Sequence, residues 1–198
     1  MKAYYQARAH EYDDWWLGTG LFAERDRPGW TEEVDALIRT LAALPPGHTL
    51  DVACGTGFLT RHLPGDVVGL DQSPAMLEVA REQAPGARFV QGEALALPFA
   101  DDSFERVLTS HFYGHLEGSD RTTFLAEARR VAGELVIVDS ALREDVSPEE
   151  LQERVLNDGS RWQVYKRYFT PEALADELGG GRTVFAGRWF VVVASPRP

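Results

Sequence analysis

The stretch TLDVACGTGFLTRHL, residues 49–63, sets an acidic residue, Asp51, at the end of a short apolar run and two glycines, Gly55 and Gly57, just after it. The apolar part, HTLDVA, is the length of a buried strand and too short for a helix. The glycines lack Cβ atoms, so the chain can turn tightly there and a ligand can approach the backbone. A helix is expected to follow at once, offering its free N–H groups to an anion.

Working outward, TEEVDALIRTLAAL precedes this strand with apolar residues at 34, 37, 38, 41 and 44, the spacing of one helical face. Thr31 is its expected N-cap and Pro45-Pro46-Gly47 its stop. Downstream, DVVGLD reads as a second strand and SPAMLEVAREQA as a helix capped by Ser73 with Pro74 at its first position. ARFVQG, FERVLTS, a helix near 119–131, GELVIVDS, a helix opened by Thr170-Pro171, and the pair TVFAG and RWFVVVAS complete the chain. Strands alternating with helices require right-handed crossovers and give an α/β, doubly wound, mostly parallel sheet. Ligands of such sheets bind beyond the carboxyl ends of the strands, where the strand order reverses. The glycine loop lies at such an end.

At 198 residues the chain fits one domain, residues 1–198, and any acceptor site must be built from extensions of it. A formal charge of −11 repels phosphate backbones and anionic lipid, which disfavours a nucleic-acid partner. Cys54, the single cysteine, cannot form an internal disulfide. The opening MKAYYQARAHEYDDWW has no apolar signal-peptide stretch, and no apolar run reaches the roughly 20 residues of a membrane span. The expectation is a cytoplasmic protein with no membrane partner.

Asp71 ends the second strand about 20 residues after Asp51, where a carboxylate can accept hydrogen bonds from both hydroxyls of a ribose. Glu93 and Ala94 follow the third strand and can meet a purine edge, with Leu95, Leu97 and Phe99 covering its ring. A dinucleotide fingerprint would place a third glycine at position 60, which is Thr60 here. The competing structural readings are that Asp51 and Asp71 cap local turns, that Glu93 is a solvated loop residue, and that Met76 is core.

These motifs resemble those of class I S-adenosylmethionine-dependent methyltransferases, in the small type 11 branch, through LDVACGTG, DQSPAML, GEALALPF and FERVLTSHFYGHL. The resemblance covers the chain from about residue 31 onward and implies S-adenosyl-L-methionine as cofactor, with no metal. It implies a seven-stranded sheet with one antiparallel strand, formed by a terminal hairpin around Ala186-Gly187. It further implies that Asp51, Ala53, Gly55 and Gly57 lie against the methionine moiety. Asp71 would take the ribose, Gln72 and Met76 would flank the adenine, Glu93 and Ala94 would face it, and Ser110 would border the donor. Glu93 stands where this family more often has Asp, and RRVAGELVIVDS lacks the usual Pro-Gly turn.

On the acceptor side, residues 1–30 are expected to form a lid, with Tyr5 or Arg8 reaching the methionine carboxylate and Tyr12 and Trp15 near the acceptor. A docked helix whose aromatics are merely core is the alternative. His111, Tyr113 and His115 sit at the end of the fourth strand, and His111 is the candidate for either acid–base chemistry or positioning. An acceptor-side insertion over residues 140–170 offers Arg161, Tyr165 and Tyr168, along with Trp162 and Lys166. The reading is a small-molecule methyltransferase. Its rivals are a non-catalytic cofactor-binding module, an RNA methyltransferase and, weakened by Thr60, a nicotinamide-dependent oxidoreductase.

Overall fold

The structure, a computed structural model, describes residues 2–196; Met1, Arg197 and Pro198 of the expected 1–198 domain lie outside the described residues. Two short helices, α1 (Lys2–Arg8) and α2 (Asp14–Leu17), precede α3 (Trp30–Ala42) and β1 (Gly47–Val52). Next come β2 (Gly65–Asp71), α4 (Pro74–Gln83), β3 (Arg88–Gln91), β4 (Phe104–Ser110), α5 (Gly118–Val131) and β5 (Ala132–Ser140). The chain ends with β6 (Glu149–Val155), β7 (Arg161–Arg167), α6 (Pro171–Glu177), β8 (Arg182–Ala186) and β9 (Phe190–Pro196).

Seven strands form one sheet in the order β3-β2-β1-β4-β5-β9-β8. β1 to β5 pair in parallel, and β9 alone runs antiparallel to its two neighbours, β5 and β8. The terminal hairpin turns where Ala186-Gly187 places it. Both faces are buried, as a parallel sheet requires. Leu135 and Ile137 of β5 join Val191 and Val193 in a core with Phe124 of α5 and Leu174 of α6. The alternate residues Val136, Val138, Phe190 and Val192 pack with Leu37 and Leu41 of α3 and with Trp16 and Trp30.

Ser73 caps α4, accepting the Met76 N–H at 3.3 Å, and Thr170 caps α6 in the same way through Ala173. Two local expectations need correction. Thr31 does not cap α3; that role falls to Gly29, whose φ of 74° is a left-handed conformation that glycine adopts without strain. No α-helix follows Gly57 either. Between β1 and β2 only a single 3-10 turn forms, Thr60–His62. Residues 53–64 fold instead as a tight loop, with Thr60 Oγ donating to Asp51 Oδ2.

The 140–170 region forms a two-stranded antiparallel hairpin, β6 and β7, separate from the main sheet. Its core joins Leu156 and Val164 to Tyr4 of α1, with Tyr5 and Trp162 packed alongside. The N-terminal segment is therefore braced from two sides. Asp13 accepts hydrogen bonds from Thr56 in the glycine loop and Gln83 at the end of α4, and Gln6 accepts one from Ser73.

Candidate functional site

The strand order reverses between β1 and β4, so their carboxyl ends diverge and open a crevice. Two non-glycine residues with left-handed backbone stand there, Ala53 at φ 58° and His111 at φ 50°. Such strain costs about 1–3 kcal/mol per residue and persists only where the surroundings enforce it. For His111 the enforcing contact is its N–H, which donates to the Val138 carbonyl at 2.9 Å.

A cleft of about 890 Å³ occupies this end of the sheet. Ala53, Gly55, Asp71, Gln72 and Met76 line one part of it, and Glu93 and Ala94 the next. Ser110, His111, His115 and Tyr165 line the far end, while Tyr5 and Tyr12 roof it. The Asp71 carboxylate accepts the N–H groups of Gly55 (3.0 Å) and Ser73 (2.8 Å). It thus shapes the glycine loop while still facing the cleft. Burial pushes its carboxyl above the usual range, against the lowering effect of those two N–H groups. Ser110 Oγ and His111 Nε2 are buried with no hydrogen-bond partner in the protein. Orphaned polar atoms facing a cleft fit a polar ligand that supplies the missing partners.

Seven expected residues line neither this cleft nor its neighbour; of these, Leu97 and Phe99 pack into the main core instead, and Trp162 packs with Tyr4 in the hairpin core. Asp51 is 2% exposed; its Oδ2 accepts from Thr60 Oγ at 2.6 Å, and its Oδ1 is buried without a partner. Burial raises its carboxyl to about 7, with Asp71 adding to the rise and Thr60 opposing it. Gly57 packs on α4: a Cβ there would sit 3.3 Å from Cα of Ala80, and its φ of 77° is the left-handed conformation that glycine adopts without strain. Tyr113 is core, packed against Phe124 and Phe169 with its hydroxyl donating to Glu177. Arg161 is on the surface of the hairpin, paired with Glu153.

Arg8, Trp15 and Tyr168 line an adjoining chamber of about 720 Å³. Arg8 lies over the Tyr12 ring, 4.7 Å from its centroid, and donates to Tyr4. The Trp15 ring packs edge-on to His111 at 4.8 Å. The two spaces share Tyr5, Tyr12, His111 and His115 along their boundary.

Behind His111 is a buried ion pair that sequence reasoning missed in part. Lys166 Nζ donates to Asp139 Oδ1 at 2.5 Å, with side chains 4% and 0% exposed. Asp139 also accepts the N–H groups of Ser140 and Gly114. A Cβ at Gly114 would fall 2.7 Å from the Arg167 carbonyl, so only glycine permits this approach. Burial would raise the Asp139 carboxyl, but the Lys166 ammonium outweighs it and keeps the carboxylate charged. Burial, with Lys166 adding, drives His111 down to about 3 and His115 well below its ordinary value. Both imidazoles are neutral at physiological pH. The signal for Asp139 was present in the sequence, as an acidic residue ending the apolar run ELVIVD; Lys166 showed as the inward partner in the alternating strand VYKRYF.

The strand order, the antiparallel β9 and a crevice bounded by Asp71 define the class I methyltransferase fold. Residues 50–135 match the family described as "Methyltransferase domain". A demethylmenaquinone methyltransferase of Renibacterium salmoninarum is 38% identical over 109 residues, 52% of this chain and 45% of that protein. A 2-phytyl-1,4-naphtoquinone methyltransferase of Thermosynechococcus vestitus is 37% identical over 134 residues, 61% of this chain and 57% of that protein. The chain thus spans about half the length of these curated relatives. A solved structure described as a DhpI-SAM-HEP complex matches with a TM-score of 0.78 at 26% identity, over 98% of this chain and 95% of that one.

Proposed function

We propose that the protein transfers a methyl group from S-adenosylmethionine to a small-molecule acceptor. The observation that carries this reading is the Asp71 carboxylate facing a cleft at the β1/β4 crevice, beside a backbone opened at Gly55. In this reading Asp71 accepts the ribose hydroxyls, Glu93 and Ala94 face the adenine edge, and Met76 and Leu95 cover the ring. When bound, the cofactor supplies a methyl carbon already activated by a positively charged sulfur. Residues 1–30 act as the lid, closing through Tyr5 and Tyr12, and residues 140–170 supply the acceptor-side wall.

Collinear alignment of acceptor and methyl is the main task of the surrounding side chains, and orientation accounts for roughly 7–11 kcal/mol of such a barrier. Neutral His111 and His115 border the donor end of the cleft, where they hold the acceptor and exclude water. His111, with a value near 3, is too weak a base to draw a proton from an acceptor of ordinary acidity. Its role is positioning. The names of the curated relatives and of the DhpI complex support a small acceptor and this cofactor.

Calorimetry with S-adenosylmethionine, S-adenosylhomocysteine and NADH tests the cofactor. Binding of the first two and none of NADH is expected, and tighter binding of NADH would overturn the reading. Incubation with a labelled methyl donor and pools of small molecules then tests transfer itself.

A further inference from the structure

The adjoining chamber concentrates arginine side chains. In a chain of net charge −11, five arginines and Lys166 line this one space beside five acidic residues; Arg143 pairs with Asp145, which leaves Arg8, Arg25, Arg27 and Arg154. Among the described residues none of the four lies within 4.0 Å of a carboxylate. Their hydrogen bonds go to neutral groups: Arg8 to the Tyr4 hydroxyl, Arg27 to the Trp15 carbonyl, Arg154 to the Gln152 side-chain oxygen.

Two of the acidic residues along the same wall pair with other cations. Asp145 pairs with Arg143, Glu153 with Arg161, and Asp139 behind the wall with Lys166. Glu150 accepts from Tyr168 and Gln152, and Glu11 from the Asn157 N–H. Asp26 stands exposed at the rim. Arg8 is only 5% exposed. A guanidinium withdrawn from water without a counter-charge is costly, and crowding several together adds mutual repulsion. Burial followed by the neighbouring Arg154 and Arg8 lowers Arg25, and burial followed by Arg25 brings Arg27 down to about 10. An oxyanion entering the chamber relieves both penalties, and the planar fork of arginine matches it with paired hydrogen bonds.

We infer that this chamber binds a small acceptor through an oxyanion group, a carboxylate or a phosphoryl oxyanion, held on Arg8, Arg25 and Arg154 with the rest of the molecule reaching His111. This rests on the methyltransferase reading and deepens it by naming the acceptor class. A volume of about 720 Å³ suits a small molecule, and the chamber meets the cofactor cleft at His111, whose Nε2 lacks a partner. The acceptor is thereby distinguished from a neutral quinone, which would leave the buried Arg8 guanidinium without a counter-charge.

The test is titration of inorganic phosphate, methylphosphonate and acetate in separate arms, into protein both empty and saturated with S-adenosylhomocysteine, with 1,4-naphthoquinone as the neutral arm. At least one anion is expected to bind, and the tighter arm identifies carboxylate or phosphoryl chemistry. Arg154→Gln is expected to weaken that binding at least tenfold and Arg25→Gln several-fold, while S-adenosylhomocysteine affinity stays unchanged. Arg25 is exposed, so its variant decides the matter if Arg154→Gln does not fold. Absence of anion binding in either state, equal binding by the variants, or occupation of the chamber by naphthoquinone undisturbed by anions overturns the inference. Failure of S-adenosylhomocysteine to bind while an anion still does overturns the cofactor reading instead.

Discussion

Thr56 donates a 2.5 Å hydrogen bond to Asp13, joining the glycine loop to a residue 43 positions earlier in the chain. The other oxygen of the same carboxylate accepts from Gln83 at 2.6 Å. With no α-helix after Gly57 to hold the loop, Asp13 does part of that work. Asp13→Ala is expected to weaken S-adenosylhomocysteine binding by about tenfold, the worth of one or two hydrogen bonds to a charged group, with circular dichroism unchanged. Unchanged affinity in calorimetry would show that the loop holds itself.

Asp71 organises the cleft twice, through the Gly55 and Ser73 N–H groups and through the face it turns to the cleft. Asp71→Ala is expected to cost about 1.5–3 kcal/mol of cofactor binding, roughly ten- to a hundredfold. Asp71→Asn, which keeps one acceptor, should fall between the two. Equal affinity for all three proteins would reduce Asp71 to a loop-shaping residue.

Asp51 and His111 pull stability in opposite directions with pH. Asp51 titrates at about 7 in the folded protein against 3.8 in the unfolded chain, so the folded state binds the extra proton between those values. Stability from this group is full below pH 3.8 and is lost as pH rises to 7, a loss of roughly 4 kcal/mol. Asp51→Asn can still accept from Thr60 and should therefore be more stable than wild type near pH 7, with the gain vanishing near pH 4. His111, lowered from 6.5 to about 3, contributes stability that is complete above pH 6.5 and lost as pH falls toward 3. Urea unfolding of both proteins across pH 4–8 measures the difference; an Asp51→Asn variant less stable at pH 7 would contradict it.

Neutral His111 sets the kinetic expectation. The turnover profile should show no ionisation assignable to this residue between pH 5 and 8, and His111→Ala should raise the acceptor KM more than it lowers kcat. A loss of a hundredfold or more in kcat, with acceptor KM unchanged, would assign it a proton-transfer role.

Lys166→Met strands a buried carboxylate at Asp139, which costs about 3–5 kcal/mol when a buried pair is broken from one side. The double variant Lys166→Met with Asp139→Asn should recover much of that loss. Thermal melts of the three proteins check it.

Periodicity carried the sheet, because each buried strand and its capped helix announce themselves locally: Ser73 and Thr170 cap where they were expected, and the hairpin turns at Ala186-Gly187. The departures come from residues whose roles depend on contacts far away in sequence. Thr60 stood where a helix was expected, but its hydroxyl is spent on Asp51 and only a 3-10 turn forms there. Gly57 looked like a ligand contact, but it lines no part of the cleft; its φ of 77° and the nearness of Ala80 of α4 favour glycine there. Tyr113 followed a strand end that faces the cleft, but a 3-10 turn rotates it into the core above Phe169. Arg8, Arg25, Arg27 and Arg154 of the second chamber come from α1, the loop before α3 and β6, three segments with no shared motif, so only the fold brings them together.

The tether between Asp13 and Thr56 makes ligand exchange a problem of peeling. Gly18 and Gly29, at φ 67° and 74°, bracket the stretch that leads from α2 to α3 and can absorb a change of backbone direction. In the proposed lid reading, a molecule leaving the cleft displaces Tyr5 and Tyr12, which line it and belong to the segment that Asp13 pins. Residence time in the cleft is then governed by how often a few hydrogen bonds open together, and exchange speeds up as that local opening becomes easier, even where equilibrium contacts to the ligand are untouched.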